Sequence, residues 1–322
     1  CRYGSYSPVR QRNWQAYLSN VTKRILCVGA SVLDTIFRVH DLPKGEGKLL
    51  PYDMLEIAEG MAASAAYAIV RLGGHASLWG AVGKDETGVR ILRDLGDDGI
   101  DMSGMTIAEG ARSALSTILV DDFGERLIVP FYDHRLHDTA KTFDDAEIAG
   151  FDAVLVDVRW PKLALAVLQA ARRVGIPAIL DGDVAPVEVL ERLAPAASHI
   201  VFSEPAATSL TGLDDVTDML LALRKKLPDT LLCITAGSKG CFWLENASST
   251  VQHQATLTIK AVDTLAAGDA FHGAFALAIA EGLPLRDTMR LASVTAALKC
   301  EVFGGRRGMP TRAQAQDALE RL

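Results

Sequence analysis

The sequence has few aromatic residues, no long uninterrupted apolar run and no excess of basic charge. Aromatic side chains make up 6% of the 322 residues, and the apolar stretch at 271–280 is interrupted by His272 and Gly273. A transmembrane helix needs about 20 consecutive apolar residues, so we expect none. Thirty-three basic residues oppose forty acidic ones, giving a net charge of −7. Without a basic patch, nucleic acid is not an expected partner.

Cysteine is also sparse, and the spacing of the cysteines indicates neither a metal site nor a set of disulfide bonds. The five cysteines form no Cys-x-x-Cys pair and lie at Cys1, Cys27, Cys233, Cys241 and Cys300. An odd, scattered set favours a reducing cytoplasm over a disulfide framework. Residues 1–21 have no apolar segment of the kind found in signal peptides, and we treat them as an N-terminal extension.

From residue 24 onward, apolar runs typical of buried strands alternate with helical patterns. The strand-like runs lie at 25–29, 76–82, 153–158, 176–181, 199–203 and 231–237, and helical patterns include 62–72 and 87–95. This alternation is typical of βαβ units. It predicts an α/β fold of three layers, with a mainly parallel sheet covered by helices on both faces.

Two stretches interrupt the alternation and predict a second, smaller β-structure. Residues 35–59 and 112–131 have short alternating strand patterns separated by turn residues. We assign them to a small inserted β-lid, and 22–34, 60–111 and 132–322 to the α/β core. The lid is expected to expose apolar side chains, which predicts a homodimer formed through it. The side chains expected to be exposed are Leu115, Ile118 and Ile128.

The strongest local signal for chemistry is the segment DTLAAGDAFHGAF at 263–275. A strand-like pattern at 256–262 leads into a turn of small residues and then a helix that continues to Ala280. The small residues Ala266, Ala267 and Gly268 allow backbone amides to approach an anion at the helix N-terminus. Asp269 could accept a proton from an attacking hydroxyl there. Alternatively, Asp269 only complements the helix dipole.

DTLAAGD resembles the D-T-x-[AG]-[AG]-G-D signature of the ribokinase-like (PfkB) carbohydrate kinases, and the likeness extends from about residue 24 to 322. In that family the final Asp is the catalytic base and the turn is the anion hole. The resemblance therefore implies that Asp269 is the base and that Ala266, Ala267 and Gly268 form the anion hole. It also implies a parallel-sheet core with a β-lid, a sugar substrate, and ATP with Mg²⁺ as cofactors.

Further family motifs suggest the sugar and nucleotide contacts. GASVLD places Asp34 where the family binds sugar hydroxyls, and GMAASAAYAIVRLGG resembles the first family signature, which implies that Gly60 and Ser64 contact the sugar. TAGSKG resembles the nucleotide loop, and the stretch at 292–310 resembles the adenine side of the site. The implied nucleotide contacts are Thr235, Gly237, Gly240, Ser293 and Gly305.

The chain departs from the family pattern in two motifs. The usual Gly-Gly pair is Glu59-Gly60, and Ser64 replaces the usual Asn, which shortens a sugar contact. The N-x-x-E motif aligns with Ser203 and Ala206, which leaves Glu204 to hold a metal-bound water.

The glycine-rich turn at 304–308, which includes Arg306 and Arg307, has three interpretations. It could bind a phosphate, bind a monovalent cation such as K⁺, or form a flexible surface turn.

Arg159, in the run VDVRWP, bears on the substrate. An Arg at a strand end of the sugar site could bind a carboxylate, sulfonate or phosphate, and Lys48 of the lid could add a second cation. Short runs including DVRW, LDGD and FHGA resemble sulfofructose kinases within the family. Alternatively, Arg159 forms a structural ion pair with Asp157, Asp181 or Asp183. Glu109, if it lies near the same pocket, counts against an anionic substrate.

The sequence thus predicts an ATP-dependent kinase that phosphorylates a primary hydroxyl of a ketose-type sugar, such as the anionic 6-deoxy-6-sulfofructose. Three alternatives remain. The enzyme could act on a neutral sugar such as fructose or ribose, it could be a nucleoside kinase, or the protein could be a catalytically silent sugar-binding regulator.

Overall fold

The computed structural model of the chain describes residues 22–138 and 141–321. The expected N-terminal extension at 1–21 lies outside the described residues. The strands are β1 (Arg24–Val28), β2 (Val32–Arg38), β3 (Asp53–Glu59), β4 (His75–Trp79), β5 (Ala81–Gly83), β6 (Thr106–Ala108), β7 (Leu115–Val120), β8 (Arg126–Phe131), β9 (Ala153–Val156), β10 (Ala178–Gly182), β11 (His199–Ser203), β12 (Leu231–Thr235), β13 (Cys241–Leu244) and β14 (Gln252–Gln254).

The helices follow the strands in the alternation that the sequence predicts. They are α1 (Met61–Arg71), α2 (Glu86–Asp97), α3 (Asp145–Ala149), α4 (Pro161–Val174), α5 (Val187–Leu193), α6 (Glu204–Thr211), α7 (Val216–Lys226), α8 (Ala267–Ala280), α9 (Leu285–Cys300) and α10 (Arg312–Leu319).

The main sheet has eight strands in the order β14-β13-β12-β11-β10-β9-β1-β4. In this sheet six neighbouring strands are parallel: β4, β1, β9, β10, β11 and β12. Only β13 and β14, at one edge, are antiparallel. Alternate residues of β1 enter different cores. Leu26 and Val28 pack with the helices α4 to α7, whereas Ile25 and Cys27 pack with α1, α8 and α9. This burial on both faces explains the continuous apolar runs and confirms the three-layer α/β prediction.

A second sheet of four strands, in the order β3-β2-β7-β8, is built from the two predicted insertions. The first of these strands in the chain, β2, begins at Val32 rather than at the predicted residue 35, because its pairing with β3 extends from Val32 to Arg38. Leu115 and Ile128 are 43% and 41% exposed. Ile118 was expected to be exposed and is buried, because it packs with Ile36 and Val120 in a small core under this sheet.

The strand expected at 256–262 is absent from the described residues. This segment has no regular structure, and its last amides, those of Val262 and Asp263, donate to the carbonyl oxygen of Cys300 at the end of α9. Within this segment Leu257 packs against the core formed by α1, α8 and α9, and residues 260–262 are exposed.

The flexible-turn interpretation of the glycines at 304–308 is wrong. The turn forms a short 3₁₀ helix at Gly305–Gly308, in which Gly305, Arg306 and Gly308 are buried.

No helix in the part of the chain that the structure describes is long and apolar enough to cross a membrane. Four cysteines, Cys27, Cys233, Cys241 and Cys300, are buried free thiols. The cytoplasmic location stays a prediction.

Candidate active site

A cavity of about 310 Å³ lies between the carboxyl ends of the main-sheet strands and the four-stranded sheet. Carboxyl ends of parallel strands are the usual place for ligands in α/β proteins, because the connecting loops diverge there. The cavity brings together eight of the residues that the sequence predicted for the site: Asp34, Gly60, Arg159, Thr235, Ala266, Ala267, Gly268 and Asp269.

The N-terminus of α8 faces this cavity. Ala266 adopts a left-handed conformation, with φ of 59°, and this turns the chain into the helix. The amide of Ala267 bonds the carbonyl oxygen of Thr264 at 3.3 Å. Among the described residues, the amides of Gly268 and Asp269 have no hydrogen-bond partner. Two free amides at a helix N-terminus, where the helix dipole also favours negative charge, can bind a phosphoryl group.

Asp269 lies in the first turn of α8, half-buried at the edge of the cavity. Burial raises its pKa well above the ordinary value, and the neighbouring carboxylates of Asp181 and Glu59 raise it further. A carboxylate with a raised pKa is a stronger base once a hydroxyl group reaches it. Its position beside the free amides suits proton removal during phosphoryl transfer.

Asp34 faces the cavity from the four-stranded sheet. In the parallel pairing of β2 with β7 it lies opposite Ser116, whose hydroxyl donates to Asp34 Oδ1 at 2.6 Å. Burial, followed by the charge of Glu59, raises the pKa of Asp34 to about 7, although the bond from Ser116 opposes that shift. One oxygen is held by Ser116, so the other can accept hydrogen bonds from a polyol.

Glu59 is a site residue whose role sequence reasoning missed. It is 2% exposed at the end of β3, where it lines the cavity. Ser64 was expected to contact the sugar, but it does not line this cavity and its hydroxyl donates to Glu59 Oε2. Glu59 Oε1 accepts the amide of Arg306 at 2.7 Å. A signal was available in the sequence, since Glu59 and Ser64 are the two positions of this motif that depart from the family pattern, and the structure pairs them.

Gly60 is required by the backbone. Its φ is 119°, and a Cβ there would lie 2.4 Å from the carbonyl oxygen of Ala30. The buried carboxylate of Asp157 supports the same corner. Its oxygens accept the amides of Ala30 at 2.7 Å, Ala62 at 3.2 Å and Arg159 at 2.7 Å. Asp157 therefore fixes the start of α1 and the strand end that carries Arg159.

Arg159 lines the cavity, half-buried, at the strand end where it was predicted. Within residues 22–138 and 141–321 its guanidinium forms no hydrogen bond and no ion pair within 4 Å. Its charge nevertheless opposes the rise in the pKa of the buried carboxyl groups of Asp157 and Asp181, so it acts on two of the three predicted partners at longer range. Lys48 is exposed in the loop between β2 and β3 and does not line the cavity. The second cationic side chain of the lining is instead Arg126 of β8, which donates to the hydroxyl of Thr264. Glu109 is exposed and paired with Lys84, outside the cavity lining.

His272 connects α8 to the main sheet, one turn after Asp269. Its Nδ1 lies 2.7 Å from the carbonyl oxygen of Gly268, and its Nε2 lies 3.1 Å from that of Val201. Nε2 is also 3.3 Å from the carboxylate of Asp181. These contacts fix the N-terminal turn of α8, with its two free amides, on the main sheet.

Comparison with known proteins identifies the family. The model of the pfkB family carbohydrate kinases matches residues 22–312. The chain belongs to this family. Its activity class is therefore ATP-dependent phosphoryl transfer to a sugar.

Three proteins illustrate which members of the pfkB family this kinase is similar to. A crystal structure from Agrobacterium tumefaciens, provisionally called a ribokinase, is 66% identical with a TM-score of 0.92, and covers 94% of this chain and 98% of its own. The ribokinase of Lactococcus lactis is 25% identical over 301 residues, covering 93% of this chain and 98% of that protein. The Arabidopsis thaliana ribokinase solved with ribose and ATP shares the fold, with a TM-score of 0.80 at 22% identity, and covers 93% of this chain and 99% of its own. None of the three is named as a sulfofructose kinase, so that resemblance stays a prediction.

The predicted nucleotide contacts of this kinase are only partly at the cavity. Thr235 lines it at the end of β12. Gly237 is exposed in the turn after β12, whereas Gly240 packs so tightly that a Cβ would lie 2.1 Å from the carbonyl oxygen of Gln254. Ser293 is buried in α9 beside Cys241, and the Gly305 amide bonds Asp263. The last two residues therefore support the site from within the core, away from the cavity lining.

The described residues contain no cluster of three or more side chains suited to hold a metal ion. Glu204, at the start of α6, lies 3.2 Å from Lys239 Nζ and is 30% exposed. Magnesium as a cofactor of this chain stays a prediction; in kinases Mg²⁺ is usually held by the nucleotide phosphates and water. Contact of Glu204 through water stays a prediction.

Proposed function

We propose that this kinase transfers the γ-phosphoryl group of ATP to a primary hydroxyl of a ketose-type sugar. One arrangement supports this function. The free amides of Gly268 and Asp269 adjoin the Asp269 carboxylate, and Asp34 faces the same cavity from the second sheet. Asp269 accepts the hydroxyl proton, and the amides bind the developing negative charge of the phosphoryl group. Magnesium, bound with ATP, supplies charge neutralisation on the phosphates.

The four-stranded sheet would act as a lid over the sugar. It carries Asp34, whose free carboxylate oxygen orients sugar hydroxyls, and it forms one wall of the cavity. Closure would exclude water from the phosphoryl group, which otherwise competes with the sugar as acceptor. The hydrogen bond from Arg126 of β8 to Thr264 joins the lid to the segment that precedes α8.

We further propose that the sugar carries an anionic group, such as a carboxylate or the sulfonate of 6-deoxy-6-sulfofructose. The supporting observation is the guanidinium of Arg159, half-buried in the cavity lining and without an ion pair among the described residues. A cation in a partly closed cavity is stabilised when an anion pairs with it. A group on C6 that pairs with Arg159 leaves the C1 hydroxyl for Asp269.

A neutral sugar such as fructose or ribose is the second candidate, and the other charges of the cavity favour it. Five carboxyl groups line the cavity: Asp34, Glu59, Asp181, Asp183 and Asp269. Such groups accept hydrogen bonds from neutral hydroxyls and repel an anion.

Substitution of Arg159 separates the two candidates. Arg159→Ala should raise KM for a C6-anionic ketose at least 10-fold, because it removes the only proposed partner of the anion, and should leave KM for fructose within about twofold. The control is Arg173→Ala, which removes an exposed arginine near the C-terminal end of α4 that pairs with Asp145 of α3 and does not line the cavity. Equal losses on both sugars, or a wild-type preference for fructose over its anionic analogue, would reject the anionic substrate and leave the neutral one.

A further inference from the structure

A fully buried lysine lies directly beneath the anion-binding segment. Lys299, in the last turn of α9, is 0% exposed. Its Nζ donates to the main-chain oxygen of Asp263 at 2.8 Å and lies 3.2 Å from Asp263 Oδ2. Asp263 is the first residue of the segment that ends at Asp269. A buried ammonium group is costly unless it is paired, so this pair ties α9 to the start of the catalytic segment.

The hydrogen-bonding capacity of Asp263 is filled by this arrangement. Its Oδ1 accepts the amide of Leu265 at 2.8 Å, and its Oδ2 accepts the amides of Gly304 at 3.0 Å and Gly305 at 2.9 Å. Burial tends to raise the pKa of Asp263, but Lys299 and these amides outweigh it, and the pKa is lowered. Asp263 is thus an ionised carboxylate that is neutralised within the protein.

The monovalent cation considered for the turn at 304–308 does not fit this corner. A cation such as K⁺ is held by oxygen atoms, whereas the turn directs the amides of Gly304, Gly305 and Arg306 inward, towards Asp263 and Glu59. The oxygens of Asp263 are already bonded to the ammonium group of Lys299. Burial raises the pKa of Glu59, which lines the cavity, and the charge of the same ammonium group opposes that rise.

We propose that the ammonium group of Lys299 is a built-in substitute for a dissociable monovalent cation, so that this kinase requires no K⁺. Lys299 is a positioning residue. It acts through Asp263 on the backbone that leads to the free amides of Gly268 and Asp269. The permanent single positive charge holds this segment against α9 whether or not K⁺ is present.

The first test uses the wild-type protein, comparing KCl with tetramethylammonium chloride at equal ionic strength. We expect phosphotransfer rates within threefold and thermal midpoints within 1 °C in the two salts. A larger rate increase or a larger stabilisation by K⁺ would overturn the proposal. The inference rests on the family activity and not on the proposed substrate. The thermal melts contain no sugar, and the phosphotransfer rates are measured with both fructose and an anionic ketose.

The second test uses Lys299→Met and Lys299→Ala. We expect each substitution to lower kcat at least 10-fold. Adding K⁺ or NH₄⁺ should raise the kcat of Lys299→Ala at least threefold. Tetramethylammonium should not raise it, because this ion is too large for the vacated space. The control is Arg312→Met, which breaks a largely buried pair with Glu281 near the far end of α8, about 20 Å from the cavity. It should lower the thermal midpoint without the loss in kcat.

A folded Lys299→Met protein with kcat within twofold of wild type, or a Lys299→Ala rate that no small cation restores, would contradict the positioning role. If neither variant folds, the salt comparison on the wild-type protein still supports or overturns the proposal.

Discussion

Asp34 and Asp269 approach one cavity from two different sheets, and the same physical cause acts on both carboxyl groups. Burial disfavours the charged form, and nearby carboxylates add repulsion, so the pKa of each group is raised. Such sites lose stability in order to hold reactive charge, which is typical of catalytic centres. The cost should be measurable as a pH dependence of stability.

Asp34→Asn should raise the thermal midpoint at pH 8 and leave it nearly unchanged at pH 4. The pKa of Asp34 is about 7 in the folded protein, against about 3.9 in an unfolded chain. Between these values the unfolded state loses the proton first, so the contribution of Asp34 to stability falls as pH rises through this window. Asn removes that cost and keeps an acceptor for Ser116.

The control for this experiment is Asp145→Asn. Asp145 is an exposed carboxylate whose bonds from Arg173 lower its pKa, so its loss should lower the midpoint at pH 8. An Asp34→Asn protein that is no more stable than wild type at pH 8 would contradict the assignment of a raised pKa to this group.

Single residues also show where sequence reasoning stops. The position of Asp269 at the cavity was predictable from its motif and from the family resemblance, because a small-residue turn before a helix can bind an anion; its role as the base stays a prediction. The buried contacts of Glu59 and Lys299 could not be predicted in this way. Glu59 bonds Arg306, more than 200 residues away in the chain, and Lys299 bonds Asp263, more than 30 residues away. Such pairings are fixed by tertiary packing, and no local spacing reveals them.

At the scale of elements, α8 shows opposing demands of stability and function. Gly268 lies in its first turn, and a Cβ added there would meet nothing within 4 Å, because the position faces the cavity. A glycine in a helix costs stability relative to alanine, so this residue keeps open the space in which the phosphoryl group must approach the amides.

Gly268→Ala should therefore stabilise the protein by about 0.5 kcal/mol and lower kcat at least 10-fold. Gly96→Ala in α2 is the matched control, because its Cβ would have only an ordinary contact, at 3.7 Å from Met102 Cγ. That variant should gain similar stability at full activity. Urea unfolding and steady-state rates measure both effects, and equal activity in the two variants would contradict the role of the turn.

Elements with a strong pattern were predictable, and those with an ambiguous one were not. The strand β11 was expected at its observed bounds, because buried parallel strands read as continuous apolar runs. The segment 256–262 has the alternation of a strand, yet its terminal amides bond the end of α9. Ile118 lies three residues after the exposed Leu115 in β7, so the alternation of a strand places it on the opposite, buried face, with Ser116 and Val120.

At the scale of the molecule, the four-stranded sheet has an exposed edge that a single chain leaves uncovered. The edge strand β8 exposes Leu127, Ile128 and Val129 by 44%, 41% and 58%. Exposed apolar edge strands are rare in monomers, because they can pair with another chain. We propose that two copies associate through this sheet.

Light scattering at micromolar concentration should therefore give the mass of a homodimer. Val129→Lys should shift it to the monomer, whereas Ile107→Lys, at an apolar residue 55% exposed outside this sheet, should not. A wild-type monomer at this concentration would reject the dimer.

The central claim is that Asp269 is the base of the phosphotransfer, and Asp269→Asn tests it most directly. We measure kcat and ATP affinity on the sugar that the wild type phosphorylates, together with a thermal melt to confirm folding. Loss of the base should lower kcat at least ~10²-fold, because proton transfer contributes that much. ATP affinity should stay within about threefold, because the free amides of the turn remain. A folded variant with turnover near that of wild type would contradict the account.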